Sequence, residues 1–243
     1  MSTLNKFFTC FVCLLPIFKI KNIILNYLGH KISYSSKIGF SIIFTNRLIL
    51  QKNSVIKNFN LININKLYLR DKSIIGNFNI FRGNFNVIFF ALSTIKNFNL
   101  LTRSNFFNGE DKSNLVLGKN SQITSLNTLD LAESILISGD SILAGKGVQL
   151  WTHGFFHTKD KNRNLITGKI KIGSNVYVGA RVVINPGIKI SNDINIGINL
   201  AVTQDLKETG IYFSGKPNLV RYDFDPKKFK ISKIKNINYY QKK

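Results

Sequence analysis

The chain has 243 residues, 44% of them hydrophobic, enough for one large domain or two small ones. Its formal charge is +22, from 34 basic and 12 acidic side chains, and two cysteines in this length argue against a disulfide-built secreted protein. The charge is uneven. Residues 1–103 hold 14 basic side chains against Asp71 alone, residues 104–226 hold 13 against 11, and residues 227–243 hold seven lysines and no acid. Basic ends suit an anionic membrane face, a polyanionic glycan or nucleic acid. Aromatic residues are not interleaved with Lys and Arg as on a base-stacking platform, so no nucleic acid is expected as a partner.

Residues 4–28 are expected to form a helix with basic flanks, within an N-terminal segment 1–37. Its apolar run, Phe7–Phe18, contains Pro16 and falls short of the roughly 20 residues that a spanning helix needs. Lys19, Lys21 and Asn22 follow where a signal peptide would carry small residues. Two readings stand: a helix lying on a membrane surface, or one that covers the open end of the core behind it. Cys10 and Cys13 make a C-x-x-C with no second pair or nearby His, so two small apolar helix residues are expected there, not a zinc site.

The middle of the chain is governed by a six-residue repeat, cleanest from Ile172 to Val202. Ile172, Val178, Ile184, Ile190, Ile196 and Val202 form one stripe, and Val176, Val182, Ile188, Ile194 and Leu200 a second. An α-helix cannot carry this period, because six residues advance the side chain about 240° beyond one full turn. Short parallel strands joined by tight corners can, with three repeats per coil and coils stacked at roughly 4.8 Å. The same period is weaker upstream, at Ile49, Val55, Leu61 and Leu67 and again at Leu117, Ile123, Leu129 and Ile135, with slips between. Asn58, Asn60, Asn77, Asn79, Asn97 and Asn99 are expected at corners, where Asn tolerates left-handed backbone. The expectation is an all-β fold, a parallel β-helix over 38–206 with roughly eight coils, a rod of about 40 Å.

Residues 152–169 break the period. This polar stretch holds His153 and His157 and reads as a loop thrown out from the coil. A short strand is expected at Ile211–Ser214. The extension 207–243 ends in a basic tail expected to be partly disordered or helical.

The stretch Ile172–Ile190, IGSNVYVGARVVINPGIKI, followed by INIGINLAVTQDL and YFSGKPNLV, resembles the hexapeptide-repeat acyltransferases. The likeness covers roughly residues 140–222, and the lead-in LPIFKIKNIILNYLGHKIS looks like that of members from surface-polysaccharide gene clusters. It implies a left-handed helix, a homotrimer and an acyl-CoA donor, acetyl-CoA in the first instance. It also implies a histidine base in the loop before the IG-x-N-V run and direct transfer without a metal. Carried over by position, Gly179, Ala180, Gly197, Ile198 and Thr203 would hold the pantetheine arm, and Lys216 and Arg221 would meet phosphates. Gln204 departs from the pattern, since a Lys is usual near the coenzyme A phosphates.

No Cys or Ser constellation for covalent catalysis is visible, so a histidine base is the economical scheme. His153 directly follows the strand Gln149–Trp151 and is the favoured base, with His157 as acceptor ligand or orienter. Asp130, Glu133, Asp140 and Asp160 are all available as the orienting acid. Trp151 either stacks on a sugar ring or plugs a coil corner. The leading expectation is a cytoplasmic O-acetyltransferase acting on a sugar of a bacterial surface glycan or its lipid-linked precursor, in peripheral contact with an anionic membrane. An N-acetyltransferase of amino-sugar nucleotides and a non-catalytic β-helix scaffold are the alternatives.

Overall fold

The computed structural model describes residues 3–107, 112–157, 159, 163–213, 219–220, 229–234 and 237–242. The body is a parallel β-solenoid. One face stacks nine short parallel strands, from Lys37–Ile38 through Val55–Ile56, Ile74–Ile75 and Tyr177–Val178 to Gly210–Tyr212, so there are nine turns where eight were expected. Each turn places three buried apolar side chains inside: Leu50, Ile56 and Ile62 in one, Leu69, Ile75 and Phe81 in the next, and Ile172, Val178 and Ile184 further on. β-Branched and aromatic side chains suit this arrangement because each stacks on its equivalent one rung away.

Of the two upstream runs, Leu117, Ile123, Leu129 and Ile135 are buried as expected, as is Leu67, but Ile49, Val55 and Leu61 lie one residue from the inward phase. Leu61 is 39% exposed while Ile62 is fully buried, and Ile49 and Val55 likewise yield the interior to Leu50 and Ile56. The cause is the length of the coil. In-register partners are 18 residues apart at Val178 and Ile196, but 19 apart at Ile56 and Ile75 and 20 apart at Ile75 and Ile95. Almost all the extra residues enter at one corner, between the face carrying Ile62, Phe81, Leu101, Leu129 and Leu150 and the face carrying Leu69, Phe89, Leu117, Ile137 and Ile172. At the first turns this wide corner is smooth, and the nine-residue strands Ile42–Leu50 and Leu61–Leu69 run around it unbroken. Further along it opens into two insertions, one after Thr102 and one after Thr152.

The corner asparagines work differently from expectation. The left-handed residues are the phenylalanines between them, Phe59, Phe78 and Phe98, with φ of 59°, 57° and 58°. Their rings stack outward at centroid distances of 5.1 and 5.0 Å. Asn60, Asn79 and Asn99 point inward instead. The Asn60 Oδ1 accepts from the Asn79 backbone N–H (2.9 Å), the Asn79 Oδ1 from that of Asn99 (2.9 Å), and the Asn99 Oδ1 from that of Asn127 (3.0 Å). A buried amide ladder thus satisfies backbone donors that the corners leave unpaired.

The N-terminal segment forms two helices, α1 (Thr3–Cys13) and α2 (Phe18–Tyr27), where one was expected. Pro16 between them accounts for the break. Both cover the open end of the solenoid. The Lys21 Nζ donates to the carbonyls of Cys13 (2.8 Å), Ile38 (3.0 Å) and Gly39 (3.2 Å), tying both helices to the first turn. Cys13 is buried in this cap and its thiol is pushed up to about 12 by desolvation, as befits an inert packing residue. The opposite face of α1 presents Leu4, Phe7, Phe8 and Phe11 to the exterior. No described helix is long and apolar enough to cross a membrane. In the basic tail, the described residues form an antiparallel pair, Phe229–Ile234 with Ile237–Lys242, where disorder or helix was expected.

Candidate active site

The break at 152–169 is a β-hairpin rather than an irregular loop. His153–His157 pairs antiparallel with Arg163–Thr167, two runs containing Phe, Ile, Leu and Thr on either side of a polar stretch of sequence. Its root is closed by the Gly168 N–H donating to the Thr152 carbonyl at 2.9 Å. His153 is thus the first hairpin residue, beside the fully buried Thr152.

Of the candidate acids, Asp130 meets His153. It ends the strand Thr128–Asp130, one turn before the hairpin, and is 4% exposed. Leu129 and Leu150 are in register, so stacking brings residues 130 and 153 together although 23 positions separate them. The Asp130 Oδ2 lies 2.8 Å from the His153 Nδ1, 2.7 Å from the Thr152 Oγ1 and 3.1 Å from the Thr152 N. The Thr152 hydroxyl in turn accepts from the Glu133 N–H at 2.9 Å. A carboxylate accepts, so in the neutral ring the proton belongs on Nδ1 and the lone pair on Nε2. Asp140 instead accepts from the Asn120 side chain at another corner, and Asp160 lies outside the described residues.

Three rings surround the imidazole. Phe107 lies 5.1 Å away, Phe155 6.0 Å and Trp151 6.3 Å, centroid to centroid. Phe107 comes from the other insertion at the wide corner, so both insertions build this site. Trp151 is 36% exposed, with its indole N–H donated to the Gln149 Oε1 at 2.9 Å. With His153, Phe155, Asn185, Pro186 and Thr203 it lines a pocket of about 380 Å³. His157 is at the far end of the hairpin strand, in register with Arg163.

The expected donor-binding residues divide into groups. Gly179 and Gly197 already donate their N–H groups to the carbonyls of Ile196 (2.8 Å) and Tyr212 (2.7 Å). A Cβ on Gly179 would press on the Ile196–Gly197 backbone, so this glycine is required by coil stacking alone. Ala180 and Ile198 line a second pocket, of about 520 Å³, with Lys146 and Arg181. Thr203 belongs to the histidine pocket. The two pockets flank the face formed by Val183–Ile184 and Ala201–Val202. Lys216 and Arg221 lie outside the described residues. Among the described residues no three His, Cys, Asp or Glu side chains converge as metal ligands.

No family model matches the chain. Over 96 residues it is 33% identical to the galactoside O-acetyltransferase of Escherichia coli (strain K12), covering 39% of this chain and 47% of that protein. The chain thus spans about half the length of the curated relative it matches. Among solved structures, the polySia-specific acetyltransferase NeuO superposes with a TM-score of 0.50 at 18% identity, covering 79% of each chain. That likeness is one of fold, and it accords with the β-solenoid described above.

Proposed function

We propose that the chain is an acetyl-CoA-dependent O-acetyltransferase that modifies a sugar hydroxyl of a surface glycan or its lipid-linked precursor. The observation carrying this reading is the His153–Asp130 pair, held by Thr152 at the mouth of a pocket on a rigid solenoid. The partial identity to a galactoside O-acetyltransferase supports the same chemistry.

In this scheme the sugar hydroxyl gives its proton to the His153 Nε2 as its oxygen bonds to the acetyl carbon of the thioester. Asp130 holds the ring and stabilises the imidazolium that forms. The carbon–sulfur bond then breaks, and the imidazolium returns the proton to the departing thiolate, releasing free coenzyme A. Trp151 supports a sugar ring at the pocket edge. Donor contacts fall to Ala180, Ile198 and Thr203, whose backbone N–H groups donate no hydrogen bond among the described residues, while Gly179 and Gly197 shape the corners. Lys216 and Arg221 remain the proposed phosphate ligands.

A homotrimer belongs to the same reading, and the exposed Phe59–Phe78–Phe98 stack supports an apolar contact surface. So does peripheral contact with the cytoplasmic face of an anionic membrane, supported by the outward apolar stripe of α1 in a region whose first acid is Asp71. The test is incubation with acetyl-CoA and a panel of glycosides. Thiol release coupled to an alkali-labile sugar ester is expected; acetyl-CoA left intact with every acceptor would contradict the reading.

A further inference from the structure

A third cleft lies on the wide corner, nearer the capped end than His153. It encloses about 580 Å³ and is lined by Lys6, Arg82 and Lys112 together with Asn63, Asn84 and Asn105. No acid lines it among the described residues, and there the three cationic side chains make no hydrogen bond or ion pair. Free cations among amides suit a ligand that carries negative charge and many hydroxyls. Among the described residues no aromatic ring lines the cleft, so stacked bases find no platform in them.

The cleft and the histidine share one register column. Asn63, Arg82, Thr102 and Asp130 occupy equivalent positions on successive rungs. Arg82 is therefore two rungs from Asp130, about 10 Å along the rod at the usual spacing. That exceeds the reach of one sugar ring but suits a chain of them. The wall between is continuous: Arg103 donates to the Asn84 carbonyl (3.0 Å) on the cleft side and to the Phe107 carbonyl (2.5 Å), and the Phe107 ring packs on His153.

We infer that this cleft holds acidic sugars of the acceptor, so that the substrate is an anionic oligo- or polysaccharide lying along the wide corner with one hydroxyl at His153. The inference rests on the acetyltransferase reading for its catalytic half; the binding half can be read alone. Binding of polygalacturonate to the full chain is measured without acetyl-CoA, at about 0.15 M salt to suppress diffuse attraction. Paired Arg82→Gln and Lys112→Gln, both at exposed positions, are expected to weaken it about tenfold, as loss of two charge-assisted contacts requires. The control pair Lys57→Gln and Lys96→Gln removes the same charge elsewhere and is expected to change it less than about twofold. With acetyl-CoA present, the preference for oligogalacturonates over monomeric galacturonate should shrink in the cleft variant.

Equal weakening by both pairs, or no weakening by the cleft pair, would overturn the inference. So would a single-stranded DNA oligonucleotide that binds more tightly than polygalacturonate and depends on the same two residues. Cleft-dependent glycan binding in a chain that transfers no acetyl group to any acceptor would instead sink the acetyltransferase reading and leave the anionic-glycan site standing.

Discussion

The Oδ2 of Asp130 sits 2.8 Å from the Nδ1 of His153, and the same oxygen takes the hydroxyl and the amide of Thr152. One carboxylate oxygen thereby fixes both the tautomer of the ring and the root of the hairpin that carries it. Asp130→Asn keeps the shape and removes the charge, and an amide at that position can turn its NH₂ toward the ring. The expected result is a fall in kcat of about 10²–10⁴-fold with KM little changed. Steady-state kinetics on the folded variant provide the check; a kcat within threefold of the parent, roughly 0.6 kcal/mol in barrier, would remove Asp130 from the mechanism.

A separate histidine makes the cap sensitive to pH. His30 is buried, its Nδ1 accepting from the Leu48 N–H (3.1 Å) and its Nε2 lying 2.8 Å from the Thr9 Oγ1. Desolvation, aided by the Arg47 charge, lowers its pKa from 6.5 to about 4. A second ring proton would face the Leu48 N–H. The unfolded chain therefore binds more protons than the folded one between these values. Stability from this group is complete above about pH 6.5 and declines as pH falls toward 4. Denaturant midpoints across that window should fall for the parent and fall less for His30→Gln; parallel profiles would contradict the account.

Lys21 anchors the same cap through three carbonyls. Lys21→Met fills similar volume but leaves those acceptors unpaired, at a cost of about 1–3 kcal/mol for each that stays dry. Hydrogen exchange should quicken in α1 and α2 and stay slow along Ile172–Val202. Uniform loss of protection through both regions would show that the cap and the distal solenoid unfold as one unit.

The outward phenylalanines give a test of backbone strain. Phe78 has a φ of 57° and stacks between Phe59 and Phe98. Replacing it removes both ring contacts, worth roughly 0.5–1.5 kcal/mol each. At this left-handed position Phe78→Gly should nevertheless be more stable than Phe78→Ala, by about 1 kcal/mol. Thermal denaturation of the two variants decides it, and the reverse order would place the strain elsewhere.

Coil stacking is tightest at Gly145, where an added Cβ would overlap the Ala180 backbone. Gly145→Ala should therefore destabilise the solenoid by roughly 3 kcal/mol or more, because neither coil can move without breaking its rungs. An unchanged melting temperature would mean that the two coils separate locally at little cost.

The solenoid was legible in the sequence where its period was undisturbed, from Ile172 to Val202, because six-residue spacing survives there without insertion. Upstream the period holds within a coil but not between coils, since one or two residues enter at the wide corner between Ile62 and Leu69 and between Phe81 and Phe89. Strict spacing by six therefore falls on the outward neighbours Ile49 and Leu61. His153 was legible from its place at the end of a strand. Asp130 was visible only as one of four candidate acids, because its proximity depends on the register Leu129–Leu150 across a coil of 21 residues rather than 18. The role of Phe107 was hidden for the same reason: it reaches His153 from an insertion two turns away. The hairpin was obscured by the polar residues between its strands, although the segments around Phe155–Phe156 and Leu165–Ile166 carry strand-forming residues.

The most direct test of the account is His153→Ala, assayed for acetyl transfer from acetyl-CoA to a glycoside accepted by the parent chain, with folding verified by melting temperature. Loss of at least about 10²-fold in kcat is expected, the scale of a missing general base, in a protein that still folds and still binds acetyl-CoA. Undiminished ester formation by that variant would contradict it.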